Sequence, residues 1–384
     1  MRKKTESLAL AVVMIMALMA FTVACADVSL HAPEAPGDIN GELLLDYEEE
    51  LKYAGEFTLT RYKGGYSVFT IPNTMGDRQY LIVPEDKKVP EKLPENTVVL
   101  QQPIDKICFA SGGMASLAEA IGAVNCIKTV AIDVDGWIIE SIIAGLENGK
   151  IKYSGKFREP DFEMLLNEEV QLEIDTAMLL NYQEIIKKYD ELGIPYFMES
   201  SSMESHPLGR MEWVKLLGAI LGLDQEAKAY FDIAEAKVNA VAATEKCNKT
   251  AALFYIGGDT VYVRSAGDYI SAMLNLAGGD LITADIGVGQ GGNIKLNFEE
   301  FYAHCKDADY LFWIVLSCPY TTLDELVESN ALFADFEAVQ NGNVYTSRRG
   351  FAQSTAYFAD VIAEMHRILN DASIGETKTF VKLK

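Results

Sequence analysis

The sequence predicts an α/β protein: two Rossmann-like lobes, each on a central, mostly parallel sheet, joined by one long α-helix with a cleft between them. Three observations lead there. Short apolar runs alternate with helix-length amphipathic stretches through most of the 384 residues. The stretch from Gln225 to Thr244 holds good helix formers and neither Gly nor Pro. A strand, Ser-x-Gly, helix pattern occurs twice, once on each side of that stretch.

The first residues read as an export signal. Arg2, Lys3 and Lys4 form a basic start, and an uncharged run follows from Ser7 to Ala26. At its end, Phe21-Thr22-Val23-Ala24-Cys25 is similar to a bacterial lipobox. The boundaries adopted are a signal peptide over 1–24, lipidation at Cys25 and a tether over 25–44. Cleavage after Ala26 and a retained membrane anchor are the alternatives, since about 20 apolar residues can span a bilayer.

Residues 45–222 read as the first lobe. It opens on an extra β-hairpin within 51–100, whose turn lies near Gly64-Gly65. Strands are expected at 106–109, 129–132, 171–174 and 195–198, with helices near 115–121, 137–146 and 179–192. Residues 223–246 contain the linking helix, after a break at Gly222-Leu223-Asp224. Residues 247–384 read as the second lobe, with strands at 251–256, 260–264, 309–316 and 343–346.

The repeat pairs Phe109-Ala110-Ser111-Gly112-Gly113 with Val263-Arg264-Ser265-Ala266-Gly267. Each ends a strand and opens a helix, where backbone amides can face a ligand; Ser111 and Met114 are the site candidates there. Further on, Phe162-Glu163 and Phe298-Glu299 open helices at matching points of the two halves.

Charge and composition narrow the function. A net charge of −23 repels phosphate backbones, so nucleic acid is not an expected partner. An anionic ligand therefore needs arginines gathered locally. Beyond Cys25, five cysteines without C-x-x-C spacing give no disulfide framework. The four histidines are scattered, which argues against a bare-metal site and against a protein-held metal. G-x-S-x-G and H-E-x-x-H are both absent, and no enzyme activity is expected. The glycine run Gly287-Val288-Gly289-Gln290-Gly291-Gly292 lacks a P-loop Lys and reads as a flexible loop at the cleft mouth.

From about residue 95 onward, segments in one consistent order resemble the importer-associated substrate-binding proteins that carry ferric siderophores, haem or cobalamin. They include Lys106-Ile107-Cys108-Phe109-Ala110-Ser111, Pro160-Asp161-Phe162-Glu163, Gly193-Ile194-Pro195-Tyr196, Leu216-Leu217-Gly218-Ala219-Ile220-Leu221-Gly222, Met273-Leu274-Asn275-Leu276-Ala277-Gly278-Gly279 and Val339-Gln340-Asn341-Gly342-Asn343-Val344-Tyr345. The resemblance implies an extracytoplasmic lipoprotein, monomeric and without a cofactor of its own. It would deliver a small-molecule metal chelate to an ABC permease and its ATPase, touching the membrane only through its lipid. A secreted α/β enzyme and a ligand-sensing domain without transport are the alternatives.

The resemblance also implies roles for residues. Glu163 and Glu299 match the two glutamates that dock on permease arginines; the alternative is an acid favoured at a helix start. Arg264, Arg348 and Arg349 lie at or after strand ends and are candidates to fork onto ligand oxygens, with a salt bridge as the alternative. His206 and Arg210 sit in a polar stretch over 199–210 that is longer than the family's usual loop. They are ligand contacts or parts of a helix cap. Trp137, Tyr269 and Tyr320 are candidates to stack on a flat ligand, with core packing as the alternative.

Overall fold

The computed structural model describes residues 42–76, 78–314 and 317–384. The expected signal segment, Cys25 and nearly all of the tether lie outside the described residues.

The chain begins with a five-stranded sheet in the order β1-β2-β3-β4-β5: Leu45–Glu48, Thr58–Tyr62, Ser67–Thr70, Gln79–Val83 and Thr97–Gln101. The expected hairpin is its β2–β3 pair, with Leu59 opposite Phe69. Gly64 and Gly65 turn it with φ of 87° and 89°, a region costly for residues with a Cβ. Alternation gives the sheet two apolar faces. Phe57 packs on Trp213 at 4.8 Å and Phe69 on Phe197 at 5.4 Å, joining this sheet to the core of the first lobe. Tyr62, Val68, Leu81 and Val83 form a smaller cluster on the other side.

In the first lobe the strands are β6 (Ile107–Phe109), β7 (Ile127–Val130) and β8 (Lys152–Tyr153). A short ribbon follows, β9 (Gly155–Lys156) with β10 (Glu159–Pro160), then β11 (Leu172–Thr176) and β12 (Tyr196–Glu199). The main sheet runs β12-β11-β6-β7-β8 and is parallel throughout. Four helices connect it: α1 (Gly112–Ala120), α2 (Glu140–Glu147), α3 (Phe162–Asn167) and α4 (Gln183–Leu192).

Next come α5 (Pro207–Glu212), α6 (Val214–Leu221) and the 19-residue linking helix α7 (Asp224–Ala242). Gly222, at φ 70°, ends α6 in the left-handed region and lets the chain double back. The two helices then approach closely: a Cβ on Gly218 would lie 2.6 Å from the Ala227 Cβ. Ala227, Phe231, Ala234 and Val238 form the buried stripe of α7 at helical spacing.

The second lobe has β13 (Thr250–Gly257), β14 (Thr260–Arg264), β15 (Asp280–Leu281), β16 (Asn293–Leu296), β17 (Tyr310–Trp313), β18 (Val344–Ser347) and β19 (Phe380–Lys382). Their order is β16-β14-β13-β17-β18-β19, with β15 on the start of β13. Strands β13, β17 and β18 pair parallel, while β14 pairs antiparallel with both β13 and β16, and β19 pairs antiparallel with β18. Its longer helices are α8 (Tyr269–Leu276), α9 (Phe298–Cys305), α10 (Leu323–Ser329) and α11 (Phe358–Asn370).

Candidate functional site

The candidates Ser111 and Met114 at the repeat's helix start, and the stacking candidate Trp137, are interior. Met114 and Trp137 are core residues, the latter donating its Nε1–H to the Ile132 carbonyl at 2.8 Å. Ser111 caps α1 and donates its hydroxyl to Glu199 Oε1 at 2.8 Å. The amides expected to face a ligand are covered by the chain itself. Gln353 lies over Gly112, and the Gln290 carbonyl would stand 2.7 Å from a Cβ on Gly267. The glycine run around Gln290 is thus pinned: Ser265 donates its N–H to the Gly292 carbonyl and its hydroxyl to the Gln290 carbonyl.

The polar stretch over 199–210, together with Glu212 just beyond it, proves to be an anchor. Glu212 accepts the amides of Lys52, Tyr53 and Ala54 at 2.8–3.1 Å. Glu204 accepts those of Gly55 and Glu56, together with Trp213 Nε1–H at 3.0 Å. Two carboxylates therefore hold the loop that leads into β2. His206 is a cap: its Nδ1 accepts the Leu208 amide at 3.1 Å and its ring stacks on Tyr53 at 4.8 Å. Burial lowers its pKa.

Arg264 and Arg210 also turn inward. Arg264 Nη1 pairs with Asp268 Oδ2 at 3.2 Å, with both side chains under a tenth exposed. Burial raises the Asp268 pKa, and the Arg264 charge works against that rise. The Arg210 guanidinium lies 4.0 Å over the Tyr269 ring, and its buried Nε has no hydrogen-bond partner among the described residues. Tyr269 is a platform for Arg210 and packs tilted against Phe358.

The first lobe also buries acids that no sequence pattern marks. Glu173 and Asp175 lie on β11, each with one carboxylate oxygen unpartnered. Burial drives the Asp175 carboxyl up to about 7, assisted by Glu199. It drives Glu173 well up too, with Asp175 adding to the rise.

Tyr320, Arg348 and Arg349 do come together. They line a cleft of about 1010 Å³ at the carboxyl ends of β17 and β18, the edge at which open α/β sheets receive ligands. Ile138 and Glu140 of the first lobe close one side. Tyr320 stands edge-on to Trp313 at 5.9 Å. Arg348 ion-pairs with Glu376, whereas Arg349 is in no ion pair among the described residues. Sequence reasoning missed Cys318 and the lysines 378, 382 and 384, which also line the cleft. Cys318 is a free, half-buried thiol whose pKa burial raises. The signal for the lysines was legible: Lys378-Thr379-Phe380-Val381-Lys382-Leu383-Lys384 is a basic stretch in an acidic chain.

A smaller groove of about 520 Å³ lies between the N-terminal sheet and α7. Its cations already have acids: Arg61 holds Glu49 and Asp224, Lys52 holds Glu235, and Lys228 holds Asp232. That leaves it little charge to offer a ligand.

Glu163 and Glu299 lie in the first turns of α3 and α9, exposed and in no ion pair among the described residues. Asp161 and Asn297 cap those helices, so neither glutamate is needed as the cap.

Two α/β lobes, one linking helix and a ligand-sized cleft at strand ends define a substrate-binding protein. Residues 147–349 match the periplasmic binding protein family, and the chain belongs to it. It is 29% identical over 362 residues to an uncharacterised lipoprotein of Methanocaldococcus jannaschii, covering 89% of this chain and 83% of the relative. Its fold is similar to the periplasmic haem-binding protein HutB of Vibrio cholerae (TM-score 0.57, 17% identity, 70% of this chain and 99% of that one). A periplasmic haem-binding protein of Pseudomonas aeruginosa is similar too (TM-score 0.55, 16% identity, 73% and 98%). So is the catecholate-siderophore-binding protein VctP of Vibrio cholerae (TM-score 0.53, 17% identity, 70% and 95%).

Proposed function

We propose that this protein is the extracytoplasmic receptor of an ABC importer, capturing an iron-siderophore, haem or corrinoid-type chelate and handing it to the permease and its ATPase. The observation that carries this reading is the cleft between β17, β18 and the first lobe, large enough for such a chelate and lined by Arg348 and Arg349 in a chain of net charge −23. Arginine there supplies charge-assisted hydrogen bonds to carboxylate or catecholate oxygens. Exposed Glu163 and Glu299, one at a helix start in each lobe, are suited to reading the permease by charge. Lipidation at Cys25 would keep a monomeric receptor at the outer membrane face. Mass spectrometry of the mature N-terminus tests that step, and an unmodified start at Asp27 removes it. The binding reading is tested by absorbance titration of the purified protein with haemin, ferric siderophores and cyanocobalamin. Saturable one-to-one binding of one class is expected, and no spectral change with any of them overturns it.

A further inference from the structure

We infer that the cleft selects polyanionic chelates, and that the C-terminal strand β19 is what makes it selective; this rests on the cleft being the chelate site. The family match ends at residue 349, before β19. This strand pairs antiparallel with β18, setting Ser347 opposite Phe380 and Tyr345 opposite Lys382. The Arg348 amide donates to the Thr379 carbonyl at 2.8 Å, so residues 378–379 stand beside the arginines.

The position of Lys378 is built. Glu364, buried on α11, accepts the Thr377 hydroxyl at 2.9 Å and the amides of Lys378 and Thr379 at 3.2 and 3.0 Å. Thr377 in turn accepts the Phe380 amide at 2.8 Å. A buried carboxylate thus fixes the turn while its lysine stays exposed. The cleft wall carries Arg348, Arg349, Lys378, Lys382 and Lys384, against Glu140 as the acid lining the same cavity. Glu376 engages Arg348, and the Lys382 ammonium donates to the Ala372 carbonyl at 2.6 Å. Arg349 and Lys378 are in no ion pair among the described residues. Two uncommitted cations on one cavity wall repel one another, and a ligand bearing several acidic groups relieves that repulsion at each. A neutral or cationic chelate relieves none of it.

The test uses the full chain and four probes: a ferric tris-catecholate (anionic), haemin (two carboxylates), cyanocobalamin and ferrioxamine B (cationic). Affinities are measured by fluorescence quenching at about 0.05 M and about 0.5 M salt, where screening differs several-fold in range. An anionic probe should bind at least about 100-fold tighter than ferrioxamine B and weaken with salt. Arg349→Ala and Lys378→Ala should each cost it about tenfold, the loss expected for one charge-assisted bond. Lys378→Glu should cost more, with unchanged melting temperature in every variant. Equal or tighter binding of cyanocobalamin or ferrioxamine B, or indifference of the anionic probe to all three variants, overturns the selectivity and leaves the receptor reading standing. Binding of none of the four overturns both.

Discussion

Gln353 Cγ stands 2.6 Å from where a Cβ on Gly112 would be, so the second lobe's side chain fills the space that glycine leaves at the start of α1. From there Gln353 ties the lobes: its Nε2 donates to the Gly136 carbonyl at 2.8 Å and its Oε1 accepts the Ile138 amide at 3.1 Å. Gln353→Ala removes both bonds and should lower unfolding stability by about 1–3 kcal/mol, measured by urea titration. An unchanged midpoint would show that water replaces the amide at no cost.

The linking helix is held from both sides. Arg61 pairs with Asp224 at 2.6 Å, and Glu235 accepts Lys52 and Tyr53 at 3.0–3.1 Å from the N-terminal sheet. Tyr230 donates to the Ala356 carbonyl and Lys237 pairs with Asp360 on the second lobe. Ligand binding should therefore change the radius of gyration only slightly in small-angle scattering. A large contraction is incompatible with a helix so clamped.

Arg264→Ala is expected to act on stability before it acts on binding. The substitution leaves Asp268 buried without its ion-pair partner, with only the Arg210 charge still acting on it, a loss of about 3–5 kcal/mol for a broken buried pair. Arg264→Ala with Asp268→Asn should recover part of it. If the single variant keeps its stability and loses only chelate affinity, Arg264 belongs to the cleft after all.

Asp175 makes stability depend on pH in a defined window. Its pKa is raised from 3.8 to about 7 on folding, so the folded state holds the proton more tightly. The contribution is complete below the unfolded value of 3.8, declines as pH rises, and is gone above about 7. Its neighbours Glu173 and Glu199 are themselves acids and supply no compensating charge. Asp175→Asn should match the wild type near pH 4 and exceed it above pH 7, by at most about 4 kcal/mol. Parallel stability curves for the two proteins across that range contradict this.

Charge reversal separates capture from delivery. Glu163→Lys and Glu299→Lys remove no contact in the cleft, because both side chains are exposed at helix starts away from its lining. Chelate affinity should hold, while uptake in vesicles containing the permease should fall sharply, most of all in the double variant. Normal uptake by the double variant would reduce these glutamates to helix-start acids.

Much of the architecture was legible in the sequence because it depends on local order. Apolar runs bounded by helix-length stretches located β6, β11, β12, β13, β14 and β18 to within two residues, and the Gly-free stretch located α7 to within two. Gly64-Gly65 marked the hairpin turn because only the backbone conformation of those residues was at issue. The partners of polar side chains were not legible, since packing sets them between residues far apart in the chain. Ser-x-Gly at a helix start looks open in sequence; whether it meets a ligand or a glutamine depends on Gln353 and Gln290, which other segments deliver. Arg264 and Arg349 are the same residue type near strand ends. One is buried against Asp268 four residues on, and the other stands beside a lysine that arrives only when β19 pairs with β18. Two lobes, a helix between them and cations near strand ends follow from the order of residues along the chain. Which cations are neutralised inside and which are left facing the cleft follows from packing, because a charge is committed by what it is buried against and not by its neighbours in the chain.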